Sequence, residues 1–334
     1  MKSLQQITQA LALARQAQEL RLEALLLNSV GNVLTASLNY REAQAYIEEA
    51  LFLRRQLGDR HDISISLLNL GGVYSELGEP DKALTCYEEC LHLKQETGEL
   101  LGQAALYNNL GNLYLRHGEL AQGQQYFEQA LHLTREVAHR RDEAIVTYNR
   151  GYAAWWAGDG AAALAWVEQS LQVAQEIGLR IMLNYGWNLR GRVLLSLSRY
   201  DEAKTWLEQA LQERQAMHLD GLIIETQAEL AYLHLRQDSM VEARALAETA
   251  LAYMQAGYWE GIEDPFRVYG HCWQLFRLVD GARARLILHD AYEKLHATAN
   301  RIQEHKLRQN FLFGVPSHRY IVQAFQGTNV RDES

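Results

Sequence analysis

The amino-acid sequence predicts an all-α solenoid built from about six to seven stacked helical hairpins. Only 3 of the 334 residues are proline, and the hydrophobic share of 48% is ordinary for a folded protein. Glycine recurs with a fixed step of 40 residues, at Gly31, Gly71, Gly111, Gly151 and Gly191. A step of this length indicates a repeat array, in which each unit packs only on its neighbours.

Three further rows of residues keep the same 40-residue step. One row holds small residues, one holds leucine and one holds glutamate. Their members are Ala43, Ala83, Gly123, Ala163, Ala203 and Ala243; Leu51, Leu91, Leu131, Leu171, Leu211 and Leu251; and Glu48, Glu88, Glu128, Glu168, Glu208 and Glu248. Because the rows stay in register without an insertion, we expect six stacked units.

Each unit reads as two helices, here called helix A and helix B. In the unit spanning residues 66–99, apolar residues recur with helical spacing on both sides of a turn at Gly78 and Pro80. Gly71 in helix A and Ala83 in helix B are small enough to let the two helices approach closely. A bulky side chain at either position is expected to overpack the contact, at a cost of about 1–3 kcal/mol.

This pattern resembles the tetratricopeptide-repeat (TPR) family in its longer-period form, over roughly residues 1–252. The resemblance implies a right-handed superhelix whose A helices line a concave groove. Two departures stand out. The proline that usually closes each unit is replaced by Gly58, Gly98, Gly178 and His218, and Ala231 stands where the sixth unit should carry its helix A glycine.

The two ends of the chain differ from the repeats. Residues 1–24 read as a half repeat, helix B of a truncated unit, because Leu11 lies one step before Leu51. Its apolar residues Leu4, Ile7 and Leu13 have no upstream neighbour. Either this half unit is a cap or the chain is a piece of a longer protein; we favour the second, because caps usually have a polar outer face.

Six TPR units are expected over residues 25–252. Residues 253–325 then read as a loop, a divergent seventh hairpin over 266–279 and 282–299, and a C-terminal capping helix or segment. The polar residues 326–334 are expected to form a disordered tail.

The capping segment is similar to the end of the repeat modules of large bacterial signalling regulators. Arg308, Phe311-Leu312, Val315-Pro316, Arg319 and Ile321 carry this resemblance. Those regulators are multidomain ATPases with a C-terminal sensor of this type. The resemblance implies that this chain is the sensor and that upstream ATPase and output domains are its partners; the chain itself holds no G-x-x-x-x-G-K-[ST] loop.

The TPR resemblance places two positions of each helix A in the groove, three residues before the glycine and one after it. Residues four apart share a helix face. Neighbouring positions add further polar and aromatic side chains. The candidate ligand-binding residues are Asn28, Asn32, Asn69, Asn108, Asn112, Tyr148, Tyr152, Trp156, Asn188, Arg192, Tyr232 and Arg236.

Asparagine is a mediocre helix former, so several in mid-helix need a reason. Their amides could bind the backbone of a peptide ligand, or they could bridge adjacent repeats. Arg192 and Arg236 could bind a carboxylate or phosphate of the ligand, or pair with Glu225 or Glu229. Trp156 is expected to be an exposed aromatic platform. Both interpretations stay open for the asparagines and arginines.

Several function classes find no support in the sequence. The net charge of −9 and the pI of 5.8 argue against direct nucleic-acid binding. No apolar run approaches the roughly 20 residues that span a bilayer. Three cysteines without zinc spacing indicate the reducing cytoplasm and no metal. No cofactor motif or catalytic arrangement is present.

The sequence therefore predicts a non-enzymatic binding or sensor module that holds a peptide, a protein segment or a small effector in its groove. One alternative is an assembly scaffold that acts through its convex face or its N-terminal edge. Another is a peptide-pheromone receptor of the kind found in Gram-positive bacteria, which is disfavoured because those receptors usually carry an N-terminal helical effector domain.

Overall fold

The chain folds into an all-α solenoid, as expected. The computed structural model describes the backbone of residues 2–259 and 261–332, and the side chains of residues 4–259 and 261–327; within these ranges it has seventeen helices and no strand. The A helices are α2 (Leu20–Ala36), α4 (Arg60–Glu76), α6 (Leu100–Arg116), α8 (Arg140–Trp156), α10 (Arg180–Ser196), α12 (Asp220–Arg236) and α14 (Pro265–Val279). The B helices are α1 (Lys2–Gln16), α3 (Tyr40–Leu57), α5 (Pro80–Glu96), α7 (Leu120–Glu136), α9 (Gly160–Glu176), α11 (Tyr200–Ala216), α13 (Met240–Gln255) and α15 (Gly281–Ala299). Two helices follow, α16 (His305–Phe313) and α17 (Pro316–Asp332).

From α2 to α13 the helices begin every 20 residues, and each turn between helices from α1 to α13 contains one left-handed residue. At a typical turn, Gly78 has a φ of 70° and the amide of Glu79 donates to the carbonyl of Tyr74 at 2.9 Å. The other left-handed turn residues of this series are Gln18, Leu38, Gly58, Gly98, Gly118, Ala138, Gly158, Gly178, Ser198, His218 and Asp238. Proline, whose φ is fixed near −65°, could not occupy these positions. This explains why no unit ends in the family's usual proline.

The glycine of each helix A lies directly under a side chain of its own helix B. A Cβ on Gly111 would lie 2.5 Å from the ring of Phe127, and one on Gly31 would lie 2.3 Å from Ile47. The sixth unit departs at both positions at once, because Ala231 stands in the glycine row and the small Ala247 stands opposite. Both alanines are buried in the same core cluster. The second departure therefore makes room for the first.

At the N-terminal edge, α1 packs on the first full unit. Leu11 is buried with Leu27 and Ala50, and Leu4 and Ile7 pack partly against the neighbouring core. Leu13 instead points away and is 65% exposed. The apolar face of the half unit is thus mostly covered by the chain's own helices.

At the other end, the expected seventh hairpin coincides with α14 and α15, which share one core cluster with α13. The structure differs from expectation in the last segment. Helix α17 continues to Asp332, into residues 326–334, for which the sequence predicted a disordered tail; Glu333 and Ser334 lie outside the described residues. That prediction rested on polarity, which separates exposed from buried chain but does not separate helix from coil.

The C-terminal helices return to the middle of the array. The amide of Asn310 in α16 donates to the carboxylate of Glu119 at 2.6 Å. Gly314 meets Gly118 backbone to backbone, since a Cβ on Gly118 would lie 2.3 Å from the Asn310 carbonyl and 2.8 Å from the Gly314 Cα. We call this set, together with the ring pair of His117 and Phe311, the closing contact. It joins the end of the chain to the third unit, so units three to seven form a closed circle of neighbours.

None of the helices in the described ranges is long and apolar enough to cross a membrane.

Candidate ligand-binding groove

Several of the predicted groove asparagines bond to the next helix A. The Oδ1 atom of Asn28 accepts from the Ser66 hydroxyl at 3.3 Å and from the Asn69 amide at 3.4 Å. In the same way, the amide of Asn149 donates to Asn108 at 2.7 Å. Side-chain amides therefore bridge the first unit to the second and the third unit to the fourth.

Asn188 joins the fifth unit to the sixth, because its amide donates to the Thr226 hydroxyl at 3.3 Å. That hydroxyl also accepts from Arg214, a buried arginine whose Nε bonds to the buried Asn184. Arg54 makes the equivalent bond to Ser66 in the first units. The sequence contains this pattern as a basic residue twelve positions before a Ser or Thr, but the groove positions alone do not reveal it.

Asn32 and Asn112 differ from the other candidate asparagines. They lie one residue after the helix A glycine in the first and third units; Asn32 is exposed and Asn112 is half-buried. Neither side chain makes a hydrogen bond to any residue that the structure describes. Their amides are therefore open to a ligand.

Arg192 is the centre of a buried ionic cluster. Its side chain is 1% exposed, with Nη2 lying 3.0 Å from Glu225 and Nε lying 3.0 Å from Glu229. Burial by itself would lower the pKa of Arg192, but the two carboxylates outweigh it and the pKa is raised. The ion pairs that the sequence left as one alternative are thus present, and they occupy the guanidinium.

The cluster continues into the seventh unit. Arg267 of α14 lies 3.0 Å from Glu229 and 3.4 Å from Asp264, and the Nε2 of His271 lies 3.1 Å from the same Glu229. Burial would raise the pKa of Glu229, yet His271 and the two arginines hold it well below its usual value. Glu229 is therefore ionised and serves three cationic or hydrogen-bonding partners.

The connection between α13 and α14 reaches into the groove. The backbone amide of Asp264 donates to Glu225 at 2.6 Å, and the carboxylate of Glu263 lies 4.0 Å from Arg192. The chain's own acidic residues thus stand where an acidic ligand would approach Arg192. Sequence reasoning missed these residues because they lie beyond the last repeat in register.

The aromatic candidates form a continuous patch on α8. The rings of Tyr148 and Tyr152 lie 6.3 Å apart, and those of Tyr152 and Trp156 lie 5.5 Å apart. Tyr148 is buried, whereas Tyr152 and Trp156 are half-buried. The hydroxyl of Tyr152 accepts from Arg267 at 3.3 Å, which ties this patch to the seventh unit.

Tyr232 and Arg236 lie further along the groove. The Tyr232 ring stacks on His271 at 4.6 Å, and Arg236 donates to the Tyr232 hydroxyl at 3.2 Å. Arg236 is exposed and, unlike Arg192, makes no ion pair with a described carboxylate. Of the two predicted arginines, only Arg236 remains accessible.

A cavity opens between the fourth and seventh units, with a volume of about 310 Å³. Trp156 lines it, so this side chain is part of a cavity wall and not a free-standing platform. The other lining residues are Trp155, Asp264, Phe266, Arg267, Gly270, His271, Gln274, Pro316, Ser317 and Tyr320. Apart from the tryptophans, the sequence offered no periodic signal for them.

Family models described as "Tetratricopeptide repeat" match residues 21–96, 103–138, 144–169 and 185–216. No curated protein matches the chain in sequence.

Solved structures share the fold at low identity. The Rap conjugation gene regulator of the plasmid pLS20, in complex with the Phr* peptide, aligns with a TM-score of 0.68 and 16% identity, over 87% of this chain and 80% of that one. A Rap protein complexed with Competence and Sporulation Factor aligns with a TM-score of 0.56 and 13% identity, over 98% and 99%. A signal-transduction ATPase of Pyrococcus horikoshii with a tetratricopeptide-repeat sensor aligns with a TM-score of 0.58 and 13% identity, over 87% of this chain and 46% of that one.

Proposed function

The chain belongs to the tetratricopeptide-repeat family, a family of protein-interaction scaffolds, and on that premise we propose that it is a non-enzymatic sensor module that binds an extended peptide along its concave surface. We place it in the cytoplasm, as the sensor of a bacterial signalling regulator whose ATPase and output domains lie elsewhere. Three free, buried cysteines fit a reducing compartment.

The unbonded amides of Asn32 and Asn112 carry this proposal. The other groove asparagines have a structural reason to lie in the middle of a helix, because they bridge neighbouring repeats. Asn32 and Asn112 have no such partner in the described chain, although asparagine costs helix stability at both positions. Each amide can donate to and accept from a peptide backbone, at a net of about 0.5–1.5 kcal/mol per hydrogen bond.

A peptide fits these positions better than a small effector does. The two amides lie on different A helices, two units apart, so a ligand that uses both must be extended. One structure that shares the fold holds the Phr* peptide, and another is complexed with Competence and Sporulation Factor. The peptide-pheromone receptor is therefore kept as a form of the same proposal, with the ATPase-linked sensor of the third structure as its other form.

The ionic cluster changes the expected ligand. Arg192 was a candidate for a ligand carboxylate, but Glu225 and Glu229 already neutralise it and Glu263 stands beside it. An acidic end in this part of the groove would meet like charge. The proposed peptide is therefore neutral or basic where it passes the cluster.

Selection from a random peptide library, displayed on phage and panned on the native chain, tests the proposal. Selected peptides are titrated calorimetrically against the chain that carries both Asn32→Ala and Asn112→Ala. Loss of two or more hydrogen bonds should weaken binding about tenfold. Gln125→Ala, which removes an exposed amide from the outer helix α7, is the matched control and should leave affinity unchanged.

Equal affinity of the native chain and the double asparagine variant would contradict the groove assignment. A failure to select any peptide would contradict the choice of ligand.

An assembly scaffold is the second candidate, favoured by exposed leucines at the N-terminal edge. Leu13, Leu22 and Leu25 are all at least 45% exposed, whereas Leu11 is buried. Self-association through this edge would be lost in the variant with Leu13→Glu and Leu25→Glu, as measured by light scattering. An unchanged particle mass would exclude this function.

A further inference from the structure

The cavity between the fourth and seventh units is walled by aromatic rings from three distant helices. α8 supplies Trp155 and Trp156, α14 supplies Phe266, and α17 supplies Tyr320. Its volume of about 310 Å³ lies at the lower end of the range of about 300–1,000 Å³ for ligand sites. This leaves room for one ring system. Aromatic walls favour a planar ring, which can pack offset or edge-on against them.

The polar groups of the wall favour a ring that carries a hydrogen-bond donor. His271 lies in the wall, and its Nε2 is held at 3.1 Å from the ionised Glu229, so Nε2 carries the proton. The other nitrogen, Nδ1, is buried without a hydrogen-bond partner in the described chain, and in the tautomer that carries its only proton on Nε2 it accepts a hydrogen bond. The Gln274 amide and the Ser317 hydroxyl lie in the same wall and can also accept.

The charges beside the cavity disfavour an anionic ligand. Asp264 and Arg267 both line it, and Arg267 is held by Glu229 at 3.0 Å and by Asp264 at 3.4 Å. Its guanidinium also lies over the ring of Trp155, at 5.3 Å from the centroid. The positive charge of Arg267 is thus already balanced by carboxylates, and what stays free on it is a hydrogen-bond donor, the buried Nη2 atom.

We propose that this cavity binds a single uncharged aromatic ring bearing one donor, the phenol of a tyrosine or the indole of a tryptophan in the peptide ligand. The inference rests on the proposed function for the source of the ring. It adds that the ligand needs this residue as an anchor, at the point where the peptide passes from the fourth unit to the seventh.

The closing contact holds the cavity together. One wall belongs to the fourth unit and the opposite wall to the seventh unit and α17, and α16 joins them to the third unit at Gly118. A side chain on Gly118 would collide with Asn310 and Gly314, whereas Gly78 takes the same left-handed backbone with nothing within 4 Å of an added Cβ. Gly118→Ala should therefore open the cavity, and Gly78→Ala is its matched control.

Indole and 4-methylphenol serve as probes, titrated into the full chain and followed by NMR. We expect dissociation constants of about one millimolar for such fragments, and weaker binding of toluene, which has no donor. Gly270→Met places a side chain in the cavity and should weaken indole binding at least about tenfold. Gly270→Ala adds only a methyl group at 3.4 Å from the Tyr320 ring and should change it less than about twofold.

Gly118→Ala should weaken indole binding several-fold, while Gly78→Ala should not. Intermolecular NOEs between indole and the rings of Trp155 and Trp156 locate the probe in the native chain without any variant. Indole binding that survives Gly270→Met, or no binding at about 10 mM, would overturn the cavity assignment. If selected peptides bind while indole does not, the groove function stands and only the anchor is wrong; if indole binds but no peptide does, the cavity stands and the peptide is wrong.

Discussion

Replacing Arg192 by methionine tests whether this arginine stabilises the fold or is available to bind a ligand. Arg192 is 1% exposed and makes two contacts of 3.0 Å to the buried Glu225 and Glu229. Arg192→Met leaves both carboxylates without this cation in a site closed to water. Removal of one partner from a buried ion pair typically costs about 3–5 kcal/mol.

That cost translates into a measurable shift in Tm. Unfolding entropy is about 2.1 cal/mol/K per residue, which for 334 residues is about 0.7 kcal/mol per kelvin. The expected decrease in Tm is therefore about 4–7 °C by calorimetry. Arg236→Met is the control, because Arg236 is exposed, and should stay within about 0.5 kcal/mol of the native chain.

Adding Glu225→Gln to Arg192→Met should recover part of the lost stability, because one of the stranded charges is removed. An Arg192→Met variant with the same Tm as the native chain would refute the structural role, and Arg192 would again be a candidate for binding the ligand.

Three further predictions concern the repeats and the closing contact. Gly71→Ala should destabilise the chain by about 1–3 kcal/mol, because its Cβ would lie 2.4 Å from the Tyr87 ring. The adjacent Gly72→Ala, whose Cβ would lie 3.9 Å from the nearest atom, should raise the free energy of unfolding by up to about 1 kcal/mol. Urea unfolding measures both changes. Burial lowers the pKa of His117 to about 4, so the unfolded chain binds more protons than the folded chain below pH 6.5. The free energy of unfolding should therefore fall by up to about 3 kcal/mol as the pH drops to 4. Urea unfolding at both pH values measures this loss, and the His117→Asn variant should not show it. Ala138→Gly should raise Tm through a gain of up to about 1 kcal/mol, because Ala138 holds a φ of 53° that glycine adopts without strain, and no gain would show that the turn is unstrained.

The repeat fold could be predicted because its signal is local and recurs. The 40-residue rows give the unit, and the small residues of helix A mark the face that packs on helix B. The glycine row proved to be a packing requirement, since each glycine lies under a helix B side chain, and the pair of Ala231 and Ala247 shows the same rule with both positions changed.

The division of the groove asparagines could not be predicted from spacing. Asn108 and Asn112 are four residues apart on one face of α6, yet Asn108 bonds to Asn149 on the next helix and Asn112 bonds to nothing in the described chain. Which amide faces a neighbour depends on the rotation between units, and periodicity does not contain that rotation.

The closing contact had no sequence signal at all. Asn310 and Glu119 are 191 residues apart, and α16 lies outside the repeat register. Their contact depends on how far each unit turns relative to the last, accumulated over several units. The same accumulation brings Arg267 to Tyr152. The cavity, and the residues of the ionic cluster that follow the sixth unit, could therefore not be predicted from the sequence either.

Photo-crosslinking of a selected peptide to the native chain tests the central claim most directly. The peptide carries a benzophenone group, and mass spectrometry locates the adducts. We predict adducts on the A helices, concentrated near Asn32, Asn112 and Trp156. Adducts confined to the outer B helices or to the exposed leucines of the N-terminal edge would contradict the claim that the concave surface binds the ligand.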